Sequence, residues 1–198
     1  MKKSTILGKA LLSAAVLTLS LGTTSCKQES KPEDSKEAAE DQNEAKFEDN
    51  NAKEDDSEYL VDAAETDLEE IEVGKLAQQK GTDAEVKSFG KMLVDDHTKS
   101  FDELKSFSEK KAISLPLVVT EDGKEAYNKL NEKSGLDFDK KFAEMMVDGH
   151  ESALKDAEKV SKDAKDEAIR MWAANKIPTL TAHLEHAKKL KQRLDAKK

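Results

Sequence analysis

The chain has 198 residues, of which 38% are charged, and it contains only eight Gly and three Pro. This composition favours long, solvated helices over strands, and the length suits one domain with a substantial core. The formal net charge of -9 excludes the broad basic surface that nucleic acid binding requires. We therefore expect an all-α protein with no nucleic acid partner.

The first 25 residues show the three regions of an export signal. The segment MKKSTILGK carries three lysines, the apolar run ALLSAAVLTLSL follows it, and the small residues GTTS precede a cysteine. The apolar run is too short to cross a bilayer, which takes about 20 residues. We predict that residues 1-25 are a signal peptide.

Cys26 is the only cysteine of the chain and directly follows this signal. The arrangement resembles a bacterial lipoprotein signal, in which cleavage before the cysteine leaves a lipid on it, although Thr23 stands where such signals usually have Leu. The alternative is a secreted protein with a free thiol. Lipidation of Cys26 would anchor the protein to a membrane of the bacterial cell envelope, with the outer membrane or a periplasm-facing surface favoured.

The next segment is acidic and almost without apolar side chains. Residues 27-58 contain five Lys and thirteen Asp or Glu, but one aromatic residue and no aliphatic side chain larger than Ala. Such a segment cannot bury enough apolar surface to offset the entropy lost on folding. We expect residues 26-58 to be the lipidated cysteine and a disordered acidic tether, which would hold the folded domain roughly 30 Å from the lipid.

From Tyr59 onward, the apolar residues take helical spacing, which predicts four long helices and a short one. The first would end near Lys80, with Gly81 as a left-handed cap, and a Thr82 and Glu85 capping box would open the second. The other predicted boundaries are Lys111 for the end of helix two, 124-133 for the short helix, 137-164 for helix three and 166-194 for helix four, bent at Pro178. Short joints between paired helices predict an antiparallel four-helix bundle over residues 59-198.

One nine-residue phrase occurs twice, as FGKMLVDDH at residues 89-97 and as FAEMMVDGH at residues 142-150. On a helical wheel of about 100° per residue, His97 and His150 each lie in the middle of the apolar stripe of their helix. The phrase is therefore a core-facing helical turn with a histidine at its centre, and the sequence places it on two helices.

The other two long helices also turn a polar residue inward. His183 has apolar neighbours at helical spacing on the last helix, whereas His186 turns toward the boundary of the apolar stripe, where we expect it to be solvated. On the first helix, Glu70 is the carboxylate with the most apolar surroundings, and only Asp67 departs from that trend. The predicted inward set is Glu70, His97, His150 and His183.

Two interpretations of this set remain open. Three neutral imidazoles and a carboxylate are a ligand set suited to Zn, Cu or Fe, which would make Glu70, His97, His150 and His183 a metal site. Alternatively, they are core polar groups that hydrogen-bond to one another, because a buried polar group without a partner is costly. Their predicted heights along the helices differ by roughly 7 Å, at a rise of 1.5 Å per residue.

Several segments in order resemble a family of exported bacterial domains of unknown function, some of whose members are described as predicted outer-membrane proteins. The segments are EIEVGKLA at 70-77, FGKMLVDDH at 89-97, LP at 115-116, GLDFDKKF and MMVDGH across 135-150, and IPTLTAHLEHAKKL at 177-190. The resemblance implies a ferritin-like four-helix fold and export, and it implies no established activity.

Ferritin-like di-iron proteins place a Glu three residues before a metal-binding His. Here Val94, Val147 and Leu180 stand at those places, so a di-iron centre is disfavoured. No nucleophile arrangement or phosphate-binding loop is visible, and an enzymatic label would rest on analogy of fold. The sequence thus favours an envelope domain that binds a metal or small ligand. The alternative is a non-catalytic envelope interaction or structural module with a purely structural polar core.

Overall fold

Helices make up nearly all of the described chain. A computed structural model describes residues 34-197, so the predicted signal peptide, Cys26 and the first residues of the predicted tether lie outside the described residues. The elements are α1 (Ser35–Phe47), α2 (Asn51–Lys80), α3 (Ala84–Lys111), α4 (Glu121–Asn131), α5 (Gly135–Asp163) and α6 (Glu167–Asp195). The all-α prediction is confirmed, and α6 continues through Pro178.

Residues 35-47 and 51-58 are helical, whereas the sequence analysis expected a disordered tether there. Asp34 caps the N-terminus of α1 by accepting a hydrogen bond from the Lys36 amide. Helix α1 then buries Ala39, Asn43 and Phe47. The composition argument missed this helix because much of its anchoring is polar.

One such polar anchor joins α1 to the loop between α3 and α4. The Asn43 side chain donates to the Ser114 carbonyl at 2.9 Å and accepts from the Ser114 amide at 2.7 Å. At the start of α1, the Ser35 hydroxyl donates to the carbonyl of Val118. These bonds satisfy backbone groups of a loop that has no secondary structure of its own.

The first turns of α2 are tied to the far end of the chain by Asp56, which is only 6% exposed. Its carboxylate accepts hydrogen bonds from the amides of Lys165 and Asp166, at 3.0 and 2.7 Å, where α5 gives way to α6. Asp139 on α5 plays the matching part at the joint between α2 and α3, where it accepts from the amides of Thr82 and Asp83. Each helical hairpin thus has its connection capped by an aspartate from the other hairpin.

The joint between α2 and α3 differs in detail from the predicted caps. Gly81 has φ of -52°, so it is not left-handed. A side chain does not fit at this position, because a Cβ would lie 2.6 Å from the Ala77 carbonyl oxygen. Asp83, rather than Thr82, caps α3, since its side chain accepts from the Glu85 amide. Thr82 is occupied by Asp139 and is not available to form a capping box.

The long helices pack as α2 along α3 and α5 along α6. Helices α2 and α3 approach closely at Gly74 and Gly90, where a Cβ on either residue would lie 2.7 Å from the carbonyl oxygen of the other. The repeated phrase brings α3 and α5 together in matching order, because Phe89 meets Phe142 and His97 meets His150, each with ring centroids 5.9 Å apart. Helices α3 and α5 therefore run in the same direction.

The apolar interior consists of two clusters rather than one. The larger includes Val73, Phe89, Leu93, Phe142, Met146 and Leu190, and the smaller includes Leu60, Ala64, Phe101, Leu104 and Ile169. Between them, the long helices contribute buried polar residues, including His97, His150 and His183. Among the described residues, no helix combines the length and apolar character needed to cross a membrane.

Candidate metal centre

The four residues predicted to face inward meet in the polar layer between the two apolar clusters. Glu70, His97, His150 and His183 are each at most 5% exposed. One ring nitrogen from each of the three histidines lies within 4.8 Å of those of the other two. The difference in height counted along the sequence does not keep them apart, because the packed helices bring the three imidazoles together.

Each imidazole is held through one nitrogen by an oxygen acceptor outside the cluster. His97 Nδ1 lies 2.8 Å from Asp67 Oδ1, and His183 Nε2 lies 3.0 Å from Asp96 Oδ2. His150 Nδ1 lies 2.9 Å from the carbonyl oxygen of Met146, one turn earlier on α5. Carbonyls and ionised carboxylates only accept hydrogen bonds, so with these carboxylates ionised the three nitrogens carry the protons.

The remaining nitrogens of neutral rings would then be unprotonated, and they point at one another or at a carboxylate. His150 Nε2 lies 3.2 Å from His183 Nδ1. His97 Nε2 lies 3.6 Å from Glu70 Oε2, and neither of these atoms has a hydrogen-bond partner. Two pairs of acceptors thus face each other in a buried layer, which is costly unless protons or a cation lie between them.

Burial and neighbouring charge act in opposite directions on the site's titrating groups. Burial disfavours the charged form of His97, but the nearby Glu70 and Asp67 carboxylates outweigh it and raise the pKa of that imidazole. Burial lowers the pKa of His183 despite its bond to Asp96. Burial raises the pKa of the Asp67 carboxyl, and this outweighs the hydrogen bond with His97, which acts to lower it. The layer can therefore hold a proton at His97, whereas His183 favours its neutral, ligand-competent form.

Two residues of the site were missed by the sequence analysis. Asp67 was set aside as an exception to the apolar surroundings of Glu70, yet it lies one turn away from Glu70 and orients His97. Asp96 directly precedes His97 in the repeated phrase and reaches across to His183 on α6. Its signal was the difference between the two copies, since Gly149 takes its place before His150.

His186 lies at the boundary of the apolar stripe, as the sequence indicates, but it is less solvated than expected. Its ring stacks on Phe89 with centroids 4.3 Å apart and planes 8° apart, and Nε2 lies 3.3 Å from Glu85 Oε1. The side chain is 30% exposed and stands outside the three-histidine cluster. It is a half-buried packing residue rather than a surface residue.

A family model described as a domain of unknown function, DUF4142, matches residues 39-190. The chain belongs to the DUF4142 family. No curated protein and no solved structure matches it. The DUF4142 match begins inside α1 and ends inside α6, so it includes every residue of the histidine layer and part of the segment that the sequence analysis assigned to a tether.

Proposed function

We propose that this DUF4142 domain binds a single transition-metal ion, Zn, Cu or Fe, through His97, His150 and His183, with Glu70 as a fourth ligand or as a hydrogen-bond partner of the site. The observation that carries the proposal is the direction of the imidazoles. Each donates outward to an oxygen and turns its other nitrogen toward the cluster. Metal-binding histidines have the same outer partners, which fix the tautomer and orient the ring.

The spacing of the inner atoms supports a single ion. Two nitrogens that bind one tetrahedral Zn at about 2.05 Å are about 3.3 Å apart, and His150 Nε2 and His183 Nδ1 are separated by 3.2 Å. The third imidazole lies within 4.8 Å of these atoms, so it would have to approach by at most about 1.5 Å to reach such a spacing. One cation would relieve both pairs of facing acceptors.

We further propose that α2, α3, α5 and α6 form a ferritin-like four-helix bundle. Because α3 and α5 run in the same direction, the segment between them, which contains α4, must return along the bundle, and ferritin-like folds have one such long crossover. The bundle holds a different site from the di-iron members. Asp67 and Asp96 are occupied as hydrogen-bond acceptors for histidines, which supports one nitrogen-rich position rather than two carboxylate-rich ones.

The proposed location is the bacterial cell envelope, with the domain anchored to a membrane by lipid on Cys26. Only seven residues separate Cys26 from Asp34, the first described residue. At about 3.6 Å per extended residue, Asp34 lies at most about 30 Å from the cysteine.

The metal site is tested on the full chain, purified in detergent without a histidine tag and treated with a chelator. A metal that binds only the folded state raises stability with its free concentration, reaching about 2.7 kcal/mol at 100 times Kd. We expect Zn, Cu or Fe to raise the melting temperature of the wild type, and we expect His150→Phe to lose that response while retaining its volume in the core.

His186→Gln is the matched control for this measurement. It removes a histidine that lies outside the cluster, so its melting temperature should still rise with metal even if its basal stability changes. If all three metals leave the wild-type melting curve unchanged, the layer is a proton-filled structural core, as in a non-catalytic envelope module, and the metal proposal is abandoned.

The location has a separate test. Wild type should fractionate with membranes or detergent, and Cys26→Ala should be released or remain as unprocessed precursor. A wild-type protein that is freely soluble and carries no lipid would refute the anchor without affecting the metal site.

A further inference from the structure

A cavity of about 330 Å³ lies directly beside the histidine cluster, with walls from α2, α3, α5 and α6. His97 and His183 form part of its wall, together with their acceptors Asp67 and Asp96. The metal centre described under the proposed function would therefore be open to the cavity on the side of these two histidines. The cavity is far larger than the roughly 30 Å³ that one liquid water occupies.

The lining of the cavity carries excess negative charge. Its carboxylates are Asp62, Asp67, Asp96, Glu103 and Asp156, and its lysines are Lys99 and Lys176. Both lysines are committed to the same carboxylate, with Nζ atoms 3.9 and 3.2 Å from Glu103. Asp62 is paired with Lys36, whose Nζ lies 2.7 Å from it. With neutral imidazoles, five carboxylates against these three lysines still leave a wall that attracts cations and repels anions.

Two independent features single out the ends of this cavity. At the inner end, Asp67 is buried, and the Ser100 hydroxyl is close enough to favour its charged form, yet Oδ2 has no hydrogen bond of ordinary geometry. A buried oxygen of this kind requires a donor. Toward solvent, Asp156 is exposed, and no described residue forms an ion pair with it. The two carboxylates are suited to receive the water ligands of a hydrated cation.

We propose that this cavity is the path by which a hydrated divalent transition-metal ion reaches the histidines. The inference rests on the proposed metal site and adds a route and a selective wall to it. Asp156 attracts the ion at the outer part of the cavity, Asp67 accepts hydrogen bonds from its water molecules, and the imidazoles of His97 and His183 replace those waters at the inner end.

Trp172 provides the measurement, because it lines the cavity and is the only tryptophan of the chain. The probe is Cu²⁺, a quencher of tryptophan fluorescence, mixed by stopped flow with the full chain in detergent. The variants are Asp156→Asn and Asp156→Lys. The controls are Asp148→Asn and Asp148→Lys, which make the same charge changes at an exposed residue of the same helix, closer in sequence to His150 and outside the cavity wall.

We expect the association rate constant to fall about threefold for Asp156→Asn and about tenfold for Asp156→Lys at low salt, because Asn removes the negative charge that attracts the cation and Lys replaces it with a positive charge that repels it. The dissociation rate constant should fall in proportion, leaving Kd nearly unchanged, because Asp156 acts on the path and not on the bound ion. Raising the ionic strength should reduce the difference between the variants, since salt screens exposed charges. The Asp148 variants should bind at the wild-type rate.

Equal rates for the Asp156 and Asp148 variants would show that the ion arrives by another route. That result would overturn this inference alone, provided that metal still stabilises the wild type. Absence of quenching together with absence of metal-dependent stabilisation would overturn both the route and the proposed function. A loss of affinity in Asp156→Asn without a change in association rate would make this residue part of a binding site and would also refute the route.

Discussion

Asp56 offers the sharpest test of where the folded domain begins. It lies in the segment that the sequence analysis assigned to a tether, yet it is buried and accepts hydrogen bonds from the amides of Lys165 and Asp166. Asp56→Ala removes both acceptors and leaves two backbone donors at the start of α6. If the first turns of α2 belong to the fold, this substitution must destabilise the whole domain rather than a local segment.

The size of the effect follows from these two bonds. A hydrogen bond to a charged group is worth about 1.5 to 3 kcal/mol, and the lower figure applies here because Lys165 is exposed and water can replace part of the loss. Two such bonds amount to about 3 kcal/mol, and the better helix propensity of Ala returns about 0.5 kcal/mol. A net loss of about 2.5 kcal/mol corresponds to a fall in melting temperature of roughly 5 to 10 °C for a domain of this size.

Thermal and urea unfolding of the two variants Asp56→Ala and Asp55→Ala measures this difference. Asp55 is exposed and adjacent in sequence, so its replacement removes the same charge without removing an acceptor from the joint. We expect Asp55→Ala to unfold within about 0.5 kcal/mol of wild type. Equal stability of the two variants would refute the reasoning and would restore residues 51-58 to a tether.

Three further predictions address other contacts. Gly90→Ala should lower the free energy of unfolding in urea by about 2 kcal/mol, because its Cβ would lie 2.7 Å from the Gly74 carbonyl oxygen. Gly149→Ala is the control: its Cβ would lie at an ordinary 3.6 Å from Glu70 Oε1, so it should be neutral or stabilising. Arg193 and Lys197 hold the pKa of Asp83 below its usual 3.8, so the stability that Asp83 contributes is present above that pH and lost as the pH falls below it. Asp83→Asn keeps a helix cap but loses the charge, so it should be about 1 kcal/mol less stable than wild type at pH 7 and equally stable at acid pH. A stability difference that does not change with pH would contradict this prediction. Phe47→Ala removes a buried side chain of α1. Limited proteolysis should then cut residues 34-50 faster than in wild type, while the remaining helices keep their melting transition. An unchanged cleavage rate would contradict this prediction.

Helical periodicity identified most of the long helices because their burial is apolar. The predicted ends of the last two long helices lie within two residues of α5 and α6, and the end of the first matches the end of α2. The method failed for α1 and for the first turns of α2. There, hydrogen bonds donated by Asn43 and accepted by Asp56 supply much of the anchoring, and a composition argument counts apolar surface only.

The candidate site was predictable in its membership but not in its geometry. A helical wheel gives the direction of a side chain about its own axis, and that was enough to select Glu70, His97, His150 and His183. The relative height of residues on different helices depends on stagger, which the caps at Asp56 and Asp139 help to set from distant parts of the sequence. The same limit explains why Asp96 escaped notice, since its partner is 87 residues away.

The two copies of the repeated phrase differ at four positions, and the one directly before the histidine bears on the polar layer. On both helices the phrase places a phenylalanine in the larger apolar cluster and a histidine two turns later in the polar layer, and the copies meet through these residues. Before its histidine, α3 has Asp96, which holds His183. Before its histidine, α5 has Gly149, where a Cβ would already lie 3.6 Å from Glu70 Oε1. An aspartate there would set a second carboxylate against the buried Glu70, with a repulsion that low polarity would strengthen. The duplication therefore supplies two inward imidazoles, and the glycine leaves the buried Glu70 without a second carboxylate beside it.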